Sequence, residues 1–162
     1  VKTETAILAA GCFWGVEELL RKVPGVLDTE VGYAGGSTTN PTYETVKTGR
    51  SGHAESIQIL FDPDKLTYVQ LLQLFFRLHD PTTLNRQGND VGTQYRSAIF
   101  VQTEEQLASA EATIAAINAS GRFTRPVATT IERSAIFYPA ETYHQDYLQR
   151  YPDGYTCHYW RE

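Results

Sequence analysis

Thr5-Ala6-Ile7-Leu8-Ala9-Ala10-Gly11-Cys12-Phe13-Trp14-Gly15-Val16 reads as a strand that turns into a helix with a thiol at the corner. Residues 5–10 form a short apolar run, as a buried strand does. Val16, Leu19, Leu20 and Val23 then recur at helical spacing until Pro24-Gly25 stops them. Cys12 therefore stands at or near a helix N-terminus. Unpaired amides and the positive end of the helix dipole favour the thiolate there, the form that attacks electrophiles. Phe13 and Trp14 set two large aromatics beside it. Cysteine also packs well as a small buried hydrophobe, and residues 11–15 alone admit both readings.

Outward from this corner, strands and helices alternate. Residues 26–33 read as a second strand running into the turn Ala34-Gly35-Gly36-Ser37, which lacks both the Walker lysine pattern and the GxGxxG spacing of a phosphate loop. A loop with Asn40-Pro41-Thr42-Tyr43 follows. Residues 54–61 alternate strictly, with Glu55, Ile57, Ile59 and Phe61 on one face. Thr67 and Gln70 make a capping box for a helix whose stripe is Tyr68, Leu71, Leu72, Phe75 and Phe76 and which ends at Asp80-Pro81. The polar loop 85–90 leads to a strand that groups Tyr95, Ser97, Ile99 and Val101. A second capping box, Thr103 and Gln106, opens a helix burying Leu107, Ala110, Ile114 and Ile117, with Gly121 as its stop. A strand near residues 127–131 precedes a short helix that puts His144 and Tyr147 on one face, and the tail 152–157 is irregular. The pattern predicts an α+β single-domain sandwich over residues 1–162: a mixed sheet with helices packed on it, a ferredoxin-like core and a mobile C-terminal tail at about 152–162.

With 162 residues, 41% of them hydrophobic, the chain can bury one substantial core. A net charge of −5 without a basic run argues against nucleic acid or an anionic membrane as partner. No apolar run reaches a membrane-spanning length and the start lacks signal-peptide order, so a cytoplasmic, monomeric protein is the expectation. The chain opens at Val1 and contains no methionine, which leaves open a segment ahead of it. Two cysteines, and no Cys/His grouping with zinc spacing, predict neither a disulfide-built scaffold nor a metal site.

Glu55 is the second chemical candidate. A carboxylate on an apolar strand face loses hydration, which raises its pKa and keeps it a proton donor. It could equally sit solvated at the strand end, or pair with Arg50 or Arg96. His53, after Ser51-Gly52, reads as a hydrogen-bonded structural histidine. Tyr43 and Tyr95 border Gly/Asn/Thr-rich turns, where a phenol can point its hydroxyl into a pocket. Cys157 is the other sulfur. It reads either as half of a structural disulfide, of about 5 kcal/mol in the chain-entropy model, or as a resolving thiol that captures an oxidised Cys12.

Four stretches together resemble a known family: Gly11-Cys12-Phe13-Trp14-Gly15; Gly52-His53-Ala54-Glu55; Gln87-Gly88-Asn89-Asp90 with Gly92-Thr93-Gln94-Tyr95-Arg96-Ser97; and Tyr143-His144-Gln145-Asp146-Tyr147-Leu148. In this order, from residue 7 to residue 158, they are similar to peptide methionine sulfoxide reductase A. The resemblance implies a protein-repair oxidoreductase of oxidative stress. It acts on the S epimer of methionine sulfoxide, free or in peptides and proteins, with no cofactor beyond an external reductant such as thioredoxin or dithiothreitol. It further implies that Cys12 is the nucleophile, that Glu55 is the proton donor, and that Tyr43 and Tyr95 bind the sulfoxide oxygen. Phe13 and Trp14 would receive the S-methyl group, with Asp90, His144 and Tyr147 in support and Cys157 resolving the Cys12 sulfenic acid as a disulfide. Many members carry the resolving cysteine directly after Gly-Tyr, often with a further cysteine beyond. Here Thr156 intervenes and the chain stops at Glu162, so one resolving thiol is implied. Other classes fit less well. A thiol peroxidase or disulfide oxidoreductase would lack its CxxC spacing, and a non-catalytic peptide-binding module gives Glu55 no purpose.

Overall fold

In the computed structural model, which describes residues 3–133, 136–156 and 158–161, β1 (Glu4–Ala10) passes through Gly11 and Cys12 into α1 (Phe13–Leu20), and β2 (Val26–Ala34) follows. A single helical turn, α2 (Tyr43–Val46), is held by a Thr42/Thr45 capping box that the sequence reading did not anticipate. β3 (Ala54–Phe61) keeps its predicted bounds. α3 (Tyr68–Leu78) starts at the Thr67/Gln70 capping box and buries Tyr68, Leu71, Leu72, Phe75 and Phe76 as one stripe. Each of those large apolar side chains contributes about 1.5–3 kcal/mol by leaving water.

The polar loop folds back on itself as β4 (Arg86–Gln87) against β5 (Asp90–Val91). Tyr95 belongs to a 3-10 turn, Thr93–Tyr95, and β6 (Ser97–Val101) begins two residues after it, so Tyr95 is not a strand residue as the alternation suggested. α4 (Glu104–Ser120) is capped by Thr103 and closed by Gly121 at φ +72°. Its capping box is incomplete, because Gln106 takes the amide of Gln102 instead of that of Thr103. β7 (Thr130–Arg133) starts later than expected and is followed by β8 (Tyr138–Pro139) and α5 (Tyr147–Arg150).

β3 lies between β1 and β2, antiparallel to both, and β6 takes the other side of β1. The order β6-β1-β3-β2 is that of two interlocked βαβ units, the ferredoxin-like core. β7 adds parallel to β6 and makes the sheet mixed, while β8 extends the opposite edge beside β2. α1, α3 and α4 cover one face, where Leu8, Ile57, Ile59, Phe61 and Ile99 meet Val16, Leu20, Leu71, Phe75 and Ala110. Glu55 has the same strand parity as Ile57 and is carried to the end of that face, at the mouth of the β1–α1 corner.

Candidate active site

Gly11 builds the corner. Its φ of +93° is open to glycine and strained for other residues, and a Cβ there would stand 2.7 Å from Gln87 Cβ. Cys12 comes next as the N-cap residue of α1 and is only 7% exposed. The amide of Phe13, one of those a helix start leaves without an intrahelical partner, donates to Glu55 Oε1 at 3.2 Å. That bond ties the carboxyl to the turn that carries the thiol.

Glu55 is 2% exposed. Among the described residues no ion pair reaches it; Arg96, the partner it might have had, binds Glu132 at 3.2 Å. Burial pushes its pKa up to about 8, the Phe13 amide opposes the rise and the charge of Asp90 adds to it. The group is thus a carboxylic acid near neutrality. Burial also raises the Tyr43 and Tyr95 phenols, and Glu55, Cys12 and Asp90 reinforce the rise in both. Both phenols therefore remain hydrogen-bond donors within the electrostatic reach of the thiol and the acid.

Phe13 and Trp14 stand in an aromatic cluster. Trp14 Nε1 donates to His144 Nδ1 at 3.0 Å, so neutral His144 carries its proton on Nε2, and the Tyr147 ring stacks on the indole at 3.9 Å and 9°. His144 also packs against Phe13, Tyr43 and Tyr143, with centroids 5.2, 4.6 and 4.2 Å away. The predicted pairing of His144 and Tyr147 on one helix face does not occur. They belong to separate turns, Thr142–His144 and α5, because Asp146 between them adopts φ +54° and breaks the helix. Trp14 joins them instead.

Three contributors escaped the sequence reading. Glu141 accepts from the Tyr33 hydroxyl at 2.8 Å and from the Tyr43 amide at 2.9 Å, which pins α2 to β2. His53 is structural, as read: its Nδ1 accepts from Gly36 N at 3.1 Å and its Nε2 faces Thr38 O at 2.6 Å. His158 is the second contributor; it is buried, and its Nε2 meets Ala10 O at 2.6 Å. Burial pushes His158 down to about 4, so it stays neutral and anchors the tail beneath the corner. Tyr155 OH donates to Asp90 Oδ2 at 3.1 Å from the same tail. Glu17, fully buried on α1, is the third. Cys157 lies outside the described residues. Among the described residues, no group of His, Cys, Asp and Glu could hold a metal ion and no helix is long and apolar enough to cross a membrane.

A thiol on a helix N-cap, a dry carboxylic acid tied to the next amide, two phenols and an aromatic cluster thus surround one corner of the fold. The family model described as peptide methionine sulfoxide reductase matches residues 4–162. The chain belongs to this family. It is 55% identical over 158 residues to a peptide methionine sulfoxide reductase MsrA of Streptomyces coelicolor, covering 98% of this chain and 90% of the relative. MsrA 2 of Rhodopirellula baltica is 54% identical over 157 residues, with 97% and 91% coverage. Among solved structures, reduced Mxr1 of Saccharomyces cerevisiae superposes with a TM-score of 0.93 at 40% identity, over 99% of this chain and 93% of that one. The same yeast protein in complex with Trx2 gives a TM-score of 0.68 at 28% identity, over 99% and 91%. Membership in the reductase family accords with the motif order read from the sequence, and the motifs carrying Cys12, Glu55, Tyr95 and His144 meet around one corner of the fold.

Proposed function

We propose that this protein reduces methionine S-sulfoxide, in peptides and proteins as well as free, and that Cys12 and Glu55 carry the chemistry. The observation that carries the reading is the Phe13 amide bond to buried Glu55, which couples a proton-bearing carboxyl to the turn of the thiol. The Cys12 thiolate attacks the sulfoxide sulfur while Glu55 protonates the oxygen, a poor leaving group until protonated. Tyr43 and Tyr95 hydrogen-bond that oxygen. As positive charge develops on sulfur, the π faces of Phe13 and Trp14 receive the methyl group and stabilise the cation; Asp90, His144 and Tyr147 support these groups. The protonated oxygen leaves the methionine sulfur as water, and the new bond from Cys12 Sγ makes that sulfur a sulfonium. Water then attacks Cys12 Sγ, methionine leaves with the S–S electron pair, and Cys12 is left as a sulfenic acid.

Cys157 then condenses with the sulfenic acid, releasing water and forming a disulfide, and a dithiol such as thioredoxin reduces that disulfide by exchange. Two observations support this step: Thr156 and His158, on either side of Cys157, pack against Gly15 of the same corner, and the related Mxr1 forms a complex with Trx2. The reaction takes place in the cytoplasm. The test is purified protein with each sulfoxide epimer and dithiothreitol. Methionine is expected from the S epimer alone, and none from Cys12→Ser, which keeps its circular dichroism. Substantial turnover by the serine variant removes Cys12 from the mechanism.

A further inference from the structure

Glu17 is a fully buried carboxyl that the proposed chemistry does not use. Its Oε2 accepts from Thr29 Oγ1 at 2.9 Å and its Oε1 accepts from the amide of Asp146 at 2.8 Å. Asp146 is the residue with φ +54° between His144 and Tyr147. Aspartate enters that conformation more readily than most residues but still needs partners to hold it there, and here three groups supply them. Glu17 takes its amide. Arg21 Nη1 donates to its Oδ1 at 2.8 Å and to Gln149 at 3.0 Å. The preceding Gln145 brackets β2, accepting from Val31 N and donating to Val31 O, each at 2.8 Å.

The strap 144–147 so held touches Trp14 at both ends: His144 accepts the indole N–H and Tyr147 stacks on the ring. Trp14, Glu17 and Arg21 recur at three- and four-residue spacing and so share one side of α1. The helix that offers Cys12 at its N-cap thus grips, one turn later, the segment that orients its own tryptophan. We propose that Glu17 is a positioning residue for the Trp14 pocket, acting through Asp146 on the 144–147 strap. This rests on the reading that Trp14 receives the substrate methyl group.

The test uses a Trp160→Phe background, which leaves Trp14 as the only indole of the two in the chain. Glu17→Ala removes the acceptor from Asp146 N, whereas Glu17→Gln retains a carbonyl oxygen for it. With a peptide carrying methionine S-sulfoxide and dithiothreitol, the alanine variant is expected to raise KM on the order of 10- to 100-fold, the scale of a displaced positioning group. Its kcat should change much less, the pH midpoint of single-turnover reduction should stay in place, and Trp14 should become more accessible to acrylamide quenching. Glutamine should restore both KM and quenching. Should the alanine variant fail to fold, Thr29→Ala, which removes one donor from the carboxyl, is expected to shift both readouts in the same direction by less. A folded alanine variant, or Thr29→Ala in its place, with parental KM and quenching overturns the proposal, as does a glutamine variant as impaired as alanine. Failure of the Cys12 mechanism registers separately, in Cys12→Ser, and leaves the quenching result intact.

Discussion

At the scale of single residues, the fold turns Glu55 from a carboxylate into a carboxylic acid near neutrality. Its ordinary pKa of 4.5 rises to about 8 in the folded protein, so the native state holds a proton that the unfolded chain releases in between. The stability contributed by this group is full below about pH 4.5 and is lost as pH rises through about 8. Thermal unfolding followed at mildly acidic and mildly alkaline pH should therefore show a smaller loss of Tm with rising pH in Glu55→Gln than in the parent; an equal loss would mean that the carboxyl is already ionised at neutrality. Glutamine keeps the shape and donates no acidic proton, so single-turnover reduction should slow by roughly 10²- to 10⁴-fold, the span of general acid catalysis. The parental rate should itself decline above the Glu55 pKa as the neutral form is depleted. A rate unaltered by the substitution would assign the proton to a tyrosine or to water.

At the scale of elements, α1 gathers the site because its first turn is crowded from both sides. A glycine inside a helix ordinarily costs roughly 0.5–1 kcal/mol relative to alanine, yet Gly15 has a reason to be there. A Cβ at this position would collide with Thr156 Oγ1 and approach His158 Nδ1 to 2.5 Å. Steric exclusion outweighs helix propensity here, so Gly15→Ala should displace the tail. Hydrogen exchange of the His158 amide should accelerate, and thioredoxin-dependent turnover should fall while a single turnover still yields one methionine per enzyme. Unchanged exchange would mean that the corner and the tail accommodate the methyl group. The last helix teaches the converse lesson about spacing. His144 and Tyr147 are three residues apart, and periodicity alone puts them on one helical face. Aspartate is one of the few residues that tolerates a left-handed backbone, but the break at Asp146 is fixed by distant groups, Glu17, Arg21 and the Gln145 bracket on β2, which periodicity along residues 144–147 does not show.

At the scale of the whole molecule, the proposed recycling route would link Cys12 to Cys157, near opposite ends of the sequence. Cys157→Ser should leave the first chemical step alone. One methionine per enzyme should appear, dimedone should trap a sulfenic acid on Cys12, and turnover with thioredoxin should fall sharply. A lowered Tm under non-reducing conditions with undiminished thioredoxin turnover would instead indicate a structural staple. Much of this architecture was legible before the structure. The strand–corner–helix of residues 5–20, the alternation that sends Glu55 to the face of Ile57, the cap at Thr67 and the glycine stop at 121 are each written within a few residues, because pleat, helical period and capping bonds are local interactions. Four short motifs in order sufficed for the family resemblance. The ferredoxin-like core was expected, but the strands added at its two edges, β7 beside β6 and β8 beside β2, needed the fold, since edge pairing depends on which segments find each other across the chain. So did the choice between a solvated and a dry Glu55, which rests on what covers the strand end. Trp14 meeting His144, Glu141 joining Tyr33 to Tyr43, and His158 seated on Ala10 are contacts between residues far apart in the chain. Local sequence determined the elements and the chemical groups they carry. Only tertiary packing decided which groups share a site and which of them lose their water, because desolvation and long-range contact are properties of the assembled molecule.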